Sequence, residues 1–299
     1  MFINKASTFI PLPPNIYYIF SMKKISNWAN HFLTAIAAIS ALTSLITWLF
    51  NIKMPETYTS WIYLGCIFTI CIWYSHLQCK RKNRISLKFS PKLEVNIAKG
   101  DLFDNNHHGI IVIPVNEYFD TIVDDCIISS RTIHGQFINR YFNHNISDLD
   151  NIISKSLKEQ KFKSNPQRKR GKVKKYPLGT CANVAYGKDI YVLAALTHFD
   201  ENNNTNISPS EFKDVLYSLY QHLEKTANMR PVYMPLIGSG QSRFPKSPQR
   251  ILFSILECLE LMPLSLPAGI NIIIHQQASK NINLRLIENF CNEILINNH

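Results

Sequence analysis

The stretch Val232-Tyr233-Met234-Pro235-Leu236-Ile237-Gly238-Ser239-Gly240-Gln241-Ser242-Arg243-Phe244-Pro245 passes from an apolar run, through a loop of small residues, to the helix start Ser247-Pro248. Val232 to Leu236 reads as a strand buried on both faces. Glycines at 238 and 240 let backbone N–H groups approach an anion with no Cβ in the way, and a helix N-terminus close behind adds a favourable dipole. A diphosphate suits such a loop, with Gly238, Ser239, Gly240, Gln241, Ser242 and Arg243 as its candidate contacts. A tight structural turn would use the same residues.

Outward from this stretch the chain alternates strands and helices. Leu93 to Ile97, Gly109 to Val115, Thr180 to Ala185, Ile190 to Thr197 and Ile270 to His275 are short apolar or β-branched runs that read as strands. Pro209 to Asn228 is the clearest helix, with Ser208 as N-cap, Pro209 at its first position and Glu211 completing a capping box. Ser247-Pro248 opens another that runs to about Leu261, Ile282 to Ile296 forms the last, and Ile133 to Phe142 and Leu149 to Leu157 are weaker helical segments. Asn202 to Asn206 is a polar turn region. Such alternation implies three layers around a mostly parallel sheet, with the ligand site at the carboxyl ends of the strands.

Two other strand exits carry polar groups. Lys99-Gly100-Asp101-Leu102 follows the first strand, and Val115-Asn116-Glu117-Tyr118-Phe119-Asp120-Thr121 follows the second. A carboxylate at a strand exit can accept from an adenine amino group, or cap its own turn. An asparagine can bond a ribose hydroxyl or a neighbouring backbone group. Gly179-Thr180 opens the strand Thr180 to Ala185.

Upstream, Phe32 to Phe50 and Thr57 to Leu77 are runs of 19 and 21 residues without a formal charge. At about 1.5 Å per residue each is long enough to cross a hydrocarbon core of about 30 Å. All four tryptophans, Trp28, Trp48, Trp61 and Trp73, lie within or close to the ends of these runs. Basic residues flank the pair: Lys23 and Lys24 before it, Lys80, Arg81, Lys82 and Arg84 after it. The expectation is a multi-pass protein of the cell inner membrane with both termini cytoplasmic. Residues 1–27 then form a cytoplasmic N-terminal segment, 28–79 a transmembrane hairpin with helices at about 31–50 and 58–77, 80–92 a basic linker, and 93–299 one α/β domain. Thr34, Ser40, Thr43, Ser44, Thr47 and Thr69 are the sparse polar residues of the hairpin and could mark an ion path or close helix packing.

The 32 Lys+Arg against 21 Asp+Glu give a formal charge of +11. Lys161 to Lys175 holds Lys161, Lys163, Arg168, Lys169, Arg170, Lys172, Lys174 and Lys175 with no acid between them. Beside a membrane this run reads as contact with anionic lipid headgroups or as a solvated loop, and few aromatics are interleaved for stacking on nucleic acid. The seven cysteines form no CxxC pair and the histidines no metal-ligand spacing, so neither disulfides nor a metal site is expected.

Taken together, the GD exit, the strand-Asn, the Gly-Thr strand start and the Pro-x-x-Gly-x-Gly loop resemble a macro domain, the ADP-ribose-binding α/β/α module, over about Leu93 to Ile296. The segments IVIPVNEYFDT, KYPLGT, LTHFDE and PLIGSGQSR behind a two-helix anchor are more closely similar to the membrane-linked macro-domain effectors of Thoeris antiphage systems. The resemblance implies a three-layer α/β/α macro domain with a mixed, mostly parallel sheet, preceded by a two-helix transmembrane hairpin. It further implies an ADP-ribose-derived signalling nucleotide made by a TIR-domain partner, membrane lipids as the target, and a homo-oligomer. Carried over by residue, Asp101 and Leu102 would meet adenine. Asn116, Tyr118, Asp120, Thr121, Ile122 and Val123, with Gly179 and Thr180, would line the distal side, and Gly238 to Arg243 would cradle the diphosphate.

Hydrolytic macro domains carry a glycine run soon after the Asn. Here the corresponding stretch reads Glu117-Tyr118-Phe119-Asp120-Thr121-Ile122-Val123-Asp124-Asp125. The expectation is therefore a receptor without catalytic residues. The alternatives are a membrane-held ADP-ribosyl hydrolase in which Asp120, Asp124 or Asp125 positions water, and a membrane adaptor.

Overall fold

The alternating pattern folds as two compact units, residues 1–81 and 82–299, in a computed structural model that describes residues 15–51, 58–78, 82–200, 204–240 and 246–296. Gln241, Ser242 and Arg243 lie outside the described residues, as do residues 1–14 of the expected N-terminal segment, the first two residues of the expected linker and part of the 202–206 turn.

In the first unit α1 spans Asn15–Leu49 and α2 spans Tyr58–Gln78. They form a helical hairpin: the Thr43 hydroxyl lies 3.0 Å from the Tyr63 hydroxyl, and Phe32 meets Phe68 edge-on at 5.1 Å, so late residues of α1 face early residues of α2. Trp28–Leu49 is long and apolar enough to cross a membrane, whereas the apolar part of α2, Trp61–Leu77, is shorter than 18 residues. One possible membrane span is therefore found among the described residues, where two were expected. The hairpin hydroxyls bond their own helices: Thr34 to the Asn30 carbonyl, Thr43 to Ile39, Thr47 to Ser44 and Thr69 to Gly65. Such back-bonding satisfies the hydroxyl locally, which fits close helix packing better than an ion path.

The second unit is built on a mixed sheet. Its strands are β1 Arg84–Ser90, β2 Leu93–Lys99, β3 Ile110–Asn116, β6 Cys181–Tyr186, β7 Asp189–Phe199, β9 Val232–Pro235 and β10 Leu266–Ile274, in the order β1-β2-β10-β9-β3-β7-β6. β4 (Lys163–Ser164) and β5 (Lys174–Lys175) make a separate antiparallel hairpin, and β8 (Thr205–Asn206) pairs with β7. β2, β10, β9, β3 and β7 run parallel, and the antiparallel β1 and β6 close the two edges. Successive side chains of β3 face opposite ways. Ile110 and Val112 pack with Phe212, Leu216 and Leu219 of α5 (Pro209–Ala227) and with Ile251 and Ile255 of α6 (Pro248–Glu260), while Ile111 and Ile113 pack with Phe137 of α3 (Ile133–Tyr141) and with Leu149 and Ile153 of α4 (Ile146–Ser156). Burial on both faces is why the parallel strands read as continuous apolar runs.

The Ser208 capping box forms as expected, and Asn228 ends α5 in the left-handed conformation at φ 42°. After β10 come α7 (Gln276–Ser279), α8 (Leu284–Phe290) and a π-helical turn Cys291–Ile296, so the expected final helix is split.

The expected linker 80–92 is a correction, because it contains β1. Ile85 and Leu87 face inward and are buried against Leu93, Val95 and Ile97, while Arg84, Ser86 and Lys88 face out. Burying such a side chain contributes about 1.5–3 kcal/mol. A chain shortened to begin at residue 82 is expected to fold, and one beginning at Leu93 to unfold at a lower denaturant concentration or aggregate through the bared edge of β2. Equal denaturation midpoints for the two would show that β1 is dispensable.

Candidate functional site

The carboxyl ends of β2, β10, β9, β3 and β7 open into one cavity of about 870 Å³. Sheet order decides what stands where along it. Gly100 and Asp101 leave β2, and His275 and Gln277 leave β10. The Pro235–Gly240 loop leaves β9 in the middle. Asn116 ends β3, and Thr197 and Phe199 end β7 on the far side. The N-terminal part of α3 and the turn before it, from Ile127 to Gln136, form a further wall.

Of the residues expected at the site, Asp101, Leu102, Asn116, Gly238, Ser239 and Gly240 line this cavity. Asp101 is half-exposed. Its Oδ1 accepts from the Phe103 N–H at 3.1 Å and its Oδ2 lies 3.5 Å from Arg140, so it caps a turn and faces the cavity at once. Asn116 is buried, and its Oδ1 accepts from the Tyr118 and Asp120 N–H groups at 3.0 and 3.4 Å, holding the turn that leaves β3. In the glycine loop the Ser239 hydroxyl donates to the Leu236 carbonyl at 2.6 Å and the Ser239 N–H to the same oxygen at 3.2 Å. Gly238 sits at φ +89°, where a side chain is strained, and a Cβ there would stand 3.0 Å from the Phe212 ring. A Cβ at Gly240 would meet nothing within 4 Å among the described residues beyond its chain neighbours.

Tyr118 to Val123, Gly179 and Thr180 are not brought to the cavity, which corrects the expectation for them. Asp120 is fully buried and pairs with Arg168 through two bonds, Nη1 to Oδ1 at 3.0 Å and Nη2 to Oδ2 at 2.7 Å, while the Lys172 N–H donates to Oδ1 at 2.8 Å. The same guanidinium lies 3.8 Å above the Tyr118 ring, and the Tyr118 hydroxyl accepts from Asn165 at 3.0 Å. Thr121 donates to Asp150 at 2.8 Å, Ile122 faces solvent, and Val123 bridges to Ile128. A Cβ on Gly179 would stand 2.8 Å from the Ser218 Cβ, so its role is the close packing of the chain on α5.

The run Lys161 to Lys175 is thus pinned to the domain as a strap. Besides the Arg168 pair, Arg170 meets Asp124 at 2.8 Å, Lys172 meets Asp150 at 2.5 Å and donates to the Phe119 carbonyl at 2.7 Å, and Lys175 meets Glu117 at 3.1 Å. Asp124 accepts from the Ile127 and Cys126 N–H groups, and these bonds hold its pKa below the ordinary value. Asp125 is lowered in the same way by the Ser130 N–H. None of Asp120, Asp124 and Asp125 lines the cavity. Asp101 is the one carboxylate among the described lining residues.

A charged network stands behind the far wall. Buried Glu117 lies 2.5 Å from His198 Nδ1, and His198 Nε2 lies 3.0 Å from Glu211, whose other oxygen accepts from the Ser208 N–H and hydroxyl at 2.8 and 2.6 Å. Burial alone would lower the His198 pKa, but the two carboxylates outweigh it and raise it above 6.5. The Ser208 hydroxyl and N–H, with His198, hold Glu211 down at about 2. The raised histidine therefore adds stability that is fully present below 6.5 and is lost as pH rises through its folded value; the glutamate's share is present above 4.5 and is lost as pH falls through about 2. The melting temperature is expected to fall as pH rises above about 6.5, and His198→Gln to flatten that slope. An unchanged slope in the variant would remove His198 as its source.

Sequence reasoning missed the wall from Ile127 to Gln136. Its available signal was Thr132 as an N-cap, with its side chain accepting from the Gly135 N–H at 3.0 Å, on the helix that follows the β3 exit.

The family model described as "Thoeris protein ThsA, Macro domain" matches residues 95–275. The Thoeris protein ThsA of Bacillus amyloliquefaciens (strain Y2) is 31% identical over 216 residues, covering 70% of this chain and 71% of that protein. Among solved structures, the Oceanobacillus iheyensis macrodomain with ADP is 10% identical at a TM-score of 0.48, covering 71% of this chain and 98% of that one. The Trypanosoma brucei macrodomain in complex with ADP-ribose is 12% identical at a TM-score of 0.39, covering 64% and 68%. With the family match spanning more than half its length and the ThsA relative covering more than two thirds of it, the chain belongs to the Thoeris ThsA macro-domain family.

Proposed function

We propose that this chain is the nucleotide-gated effector of a Thoeris antiphage system, a receptor and not an enzyme. Its cavity takes an ADP-ribose-type nucleotide supplied by a TIR-domain partner, and binding is relayed through self-association of the chain to its N-terminal helices at the cell inner membrane. The observation that carries this reading is the order of groups along a single cavity: a carboxylate at the β2 end, a small-residue loop in the middle and an asparagine at the β3 end. That is the order of adenine, diphosphate and distal ribose in an extended dinucleotide-like ligand. The volume falls within the range of about 300–1,000 Å³ usual for small-molecule sites. The receptor reading is supported by the carboxylates weighed as water-positioning groups, which are all engaged in ion pairs or turn caps outside the cavity.

Both α1 and α2 are proposed as the membrane anchor. At about 1.5 Å per residue the apolar part of α2 spans somewhat less than an average hydrocarbon core, at the lower end of the length a membrane helix needs.

Asp101 tests the adenine end. Asp101→Ala is expected to weaken ADP-ribose binding roughly 10- to 150-fold, the worth of a charge-assisted hydrogen bond, in titration calorimetry of the full chain. Unchanged affinity with a lowered melting temperature would mean that Asp101 serves only its bond to the Phe103 N–H.

A further inference from the structure

We propose that the strap from Lys161 to Lys175 is a docking surface for the anionic headgroups of a lipid bilayer. This rests on the membrane reading above and goes further in naming the surface of the domain that meets the lipid.

Half of the charge in the strap is answered inside the domain. Arg168, Arg170, Lys172 and Lys175 pair with Asp120, Asp124, Asp150 and Glu117. Lys161, Lys163, Lys169 and Lys174 are exposed and pair with no acid among the described residues. In the β4–β5 ladder Lys163 stands directly opposite Lys175, and like charges so placed repel. Glu117 answers the second of the two. Glu159, exposed just before the strap, is outnumbered by the exposed Lys155 and Lys158 beside it. The surplus is therefore positive, and an anion from outside would relieve it.

Apolar side chains stand among these cations. Phe162 is 48% exposed, with the Lys174 ammonium 4.8 Å from the centre of its ring, and Val173 just before β5 is 41% exposed. Ile122, also exposed, belongs to the turn that the strap clasps: its neighbour Thr121 donates to Asp150, which Lys172 meets in turn. Apolar side chains held at the surface between lysines suit the boundary layer of a bilayer, where rings lie at the acyl edge and ammonium groups meet phosphate. The two bonds between Arg168 and Asp120 already fix the strap, so docking has little further ordering to impose.

Charge complementarity selects the occupant. Four free ammonium groups spread over a hairpin and its loop fit a diffuse negative surface. Nucleic acid would call for stacking platforms, and Tyr176, the other aromatic ring beside the strap, is buried. Trp28–Leu49, long and apolar enough to cross a membrane, gives the chain a bilayer to meet.

Lysine labelling of the full chain in nanodiscs tests the proposal, with phosphatidylcholine alone or with phosphatidylglycerol mixed in, an uncharged acylating reagent, and mass spectrometry as the readout. Each lysine beside an anionic bilayer shifts the docked equilibrium roughly fivefold. Lys161, Lys163, Lys169 and Lys174 are expected to react several-fold more slowly in the anionic discs, and the protection to fade in high salt. Lys188 in the β6–β7 turn and Lys225 in the last turn of α5, at the amino-terminal edge of the parallel strands, should react alike in both discs. In the variant Lys161→Gln with Lys163→Gln and Lys169→Gln, every ion pair that holds the strap is kept, and Lys174 should lose its protection. Equal rates at the strap in both discs, equal slowing of Lys188 and Lys225, or protection of Lys174 that survives in the variant would each overturn the docking surface. So would protection by an added oligonucleotide in neutral discs with none from phosphatidylglycerol, which would assign the strap to nucleic acid. A chain that enters neither disc overturns the membrane reading itself, and this proposal with it.

Discussion

Gly240→Glu is expected to abolish nucleotide binding while leaving the domain folded. Among the described residues, its own backbone and chain neighbours apart, no atom lies within 4 Å of the place where a Cβ would stand, which leaves room for a side chain. The loop leads toward the N-terminus of α6, at the middle of the cavity, where the diphosphate is placed. A carboxylate about 4 Å from a phosphate charge is opposed by about 1 kcal/mol in water and about 4 kcal/mol at the effective dielectric near a protein surface. With bulk added, affinity should fall roughly a hundredfold or more. Circular dichroism and membrane localisation should be unchanged. Wild-type affinity for ADP-ribose in this variant would mean that the phosphates bind elsewhere.

The largest stability effect is expected at Arg168. Its pair with Asp120 is almost wholly inside the protein, with side chains 8% and 0% exposed. Removing one partner of a buried pair strands the other charge, which typically costs about 3–5 kcal/mol. For a domain of this size that corresponds to roughly 6–20 °C in melting temperature. Arg168→Ala should therefore be strongly destabilised, and the double replacement Arg168→Met with Asp120→Leu much less so, because it leaves no charge uncompensated. A single variant within about 1 kcal/mol of wild type in chemical denaturation would show that the strap is not held by this pair.

Arg168 also shows where a sequence stops being legible. The run Lys161 to Lys175 looks like a solvated or lipid-facing face, because nothing local answers its charge. Its partners, Glu117, Asp120, Asp124 and Asp150, come from segments well before it in the chain and meet it only after the sheet has formed. The same strap engages Tyr118, the Phe119 carbonyl and Asp120: the residue types suited a ligand, but the strap claimed them first. β1 was hidden differently. Ile85, Leu87 and Phe89 alternate as a strand should, but the basic residues around them suggested a linker.

What local chemistry governs was readable. The parallel strands announce themselves as apolar runs because both faces are covered, and Ser208 with Glu211 marks the start of α5 whatever packs on it. Asp101, Asn116 and the glycine loop could be placed at one site because strand exits of a parallel sheet share an edge. His134 could not, because its burial at the cavity wall exists only in the folded domain.

The central claim is that one cavity holds adenine, diphosphate and distal ribose in the order of the strand ends. Titration calorimetry of the full chain with adenosine monophosphate, ADP and ADP-ribose tests it most directly. Affinity should rise at each step as the ligand reaches the glycine loop and then the Asn116 end, with the gain from monophosphate to diphosphate missing in Gly240→Glu. Equal affinities for all three ligands, or no measurable heat with ADP-ribose, would contradict it.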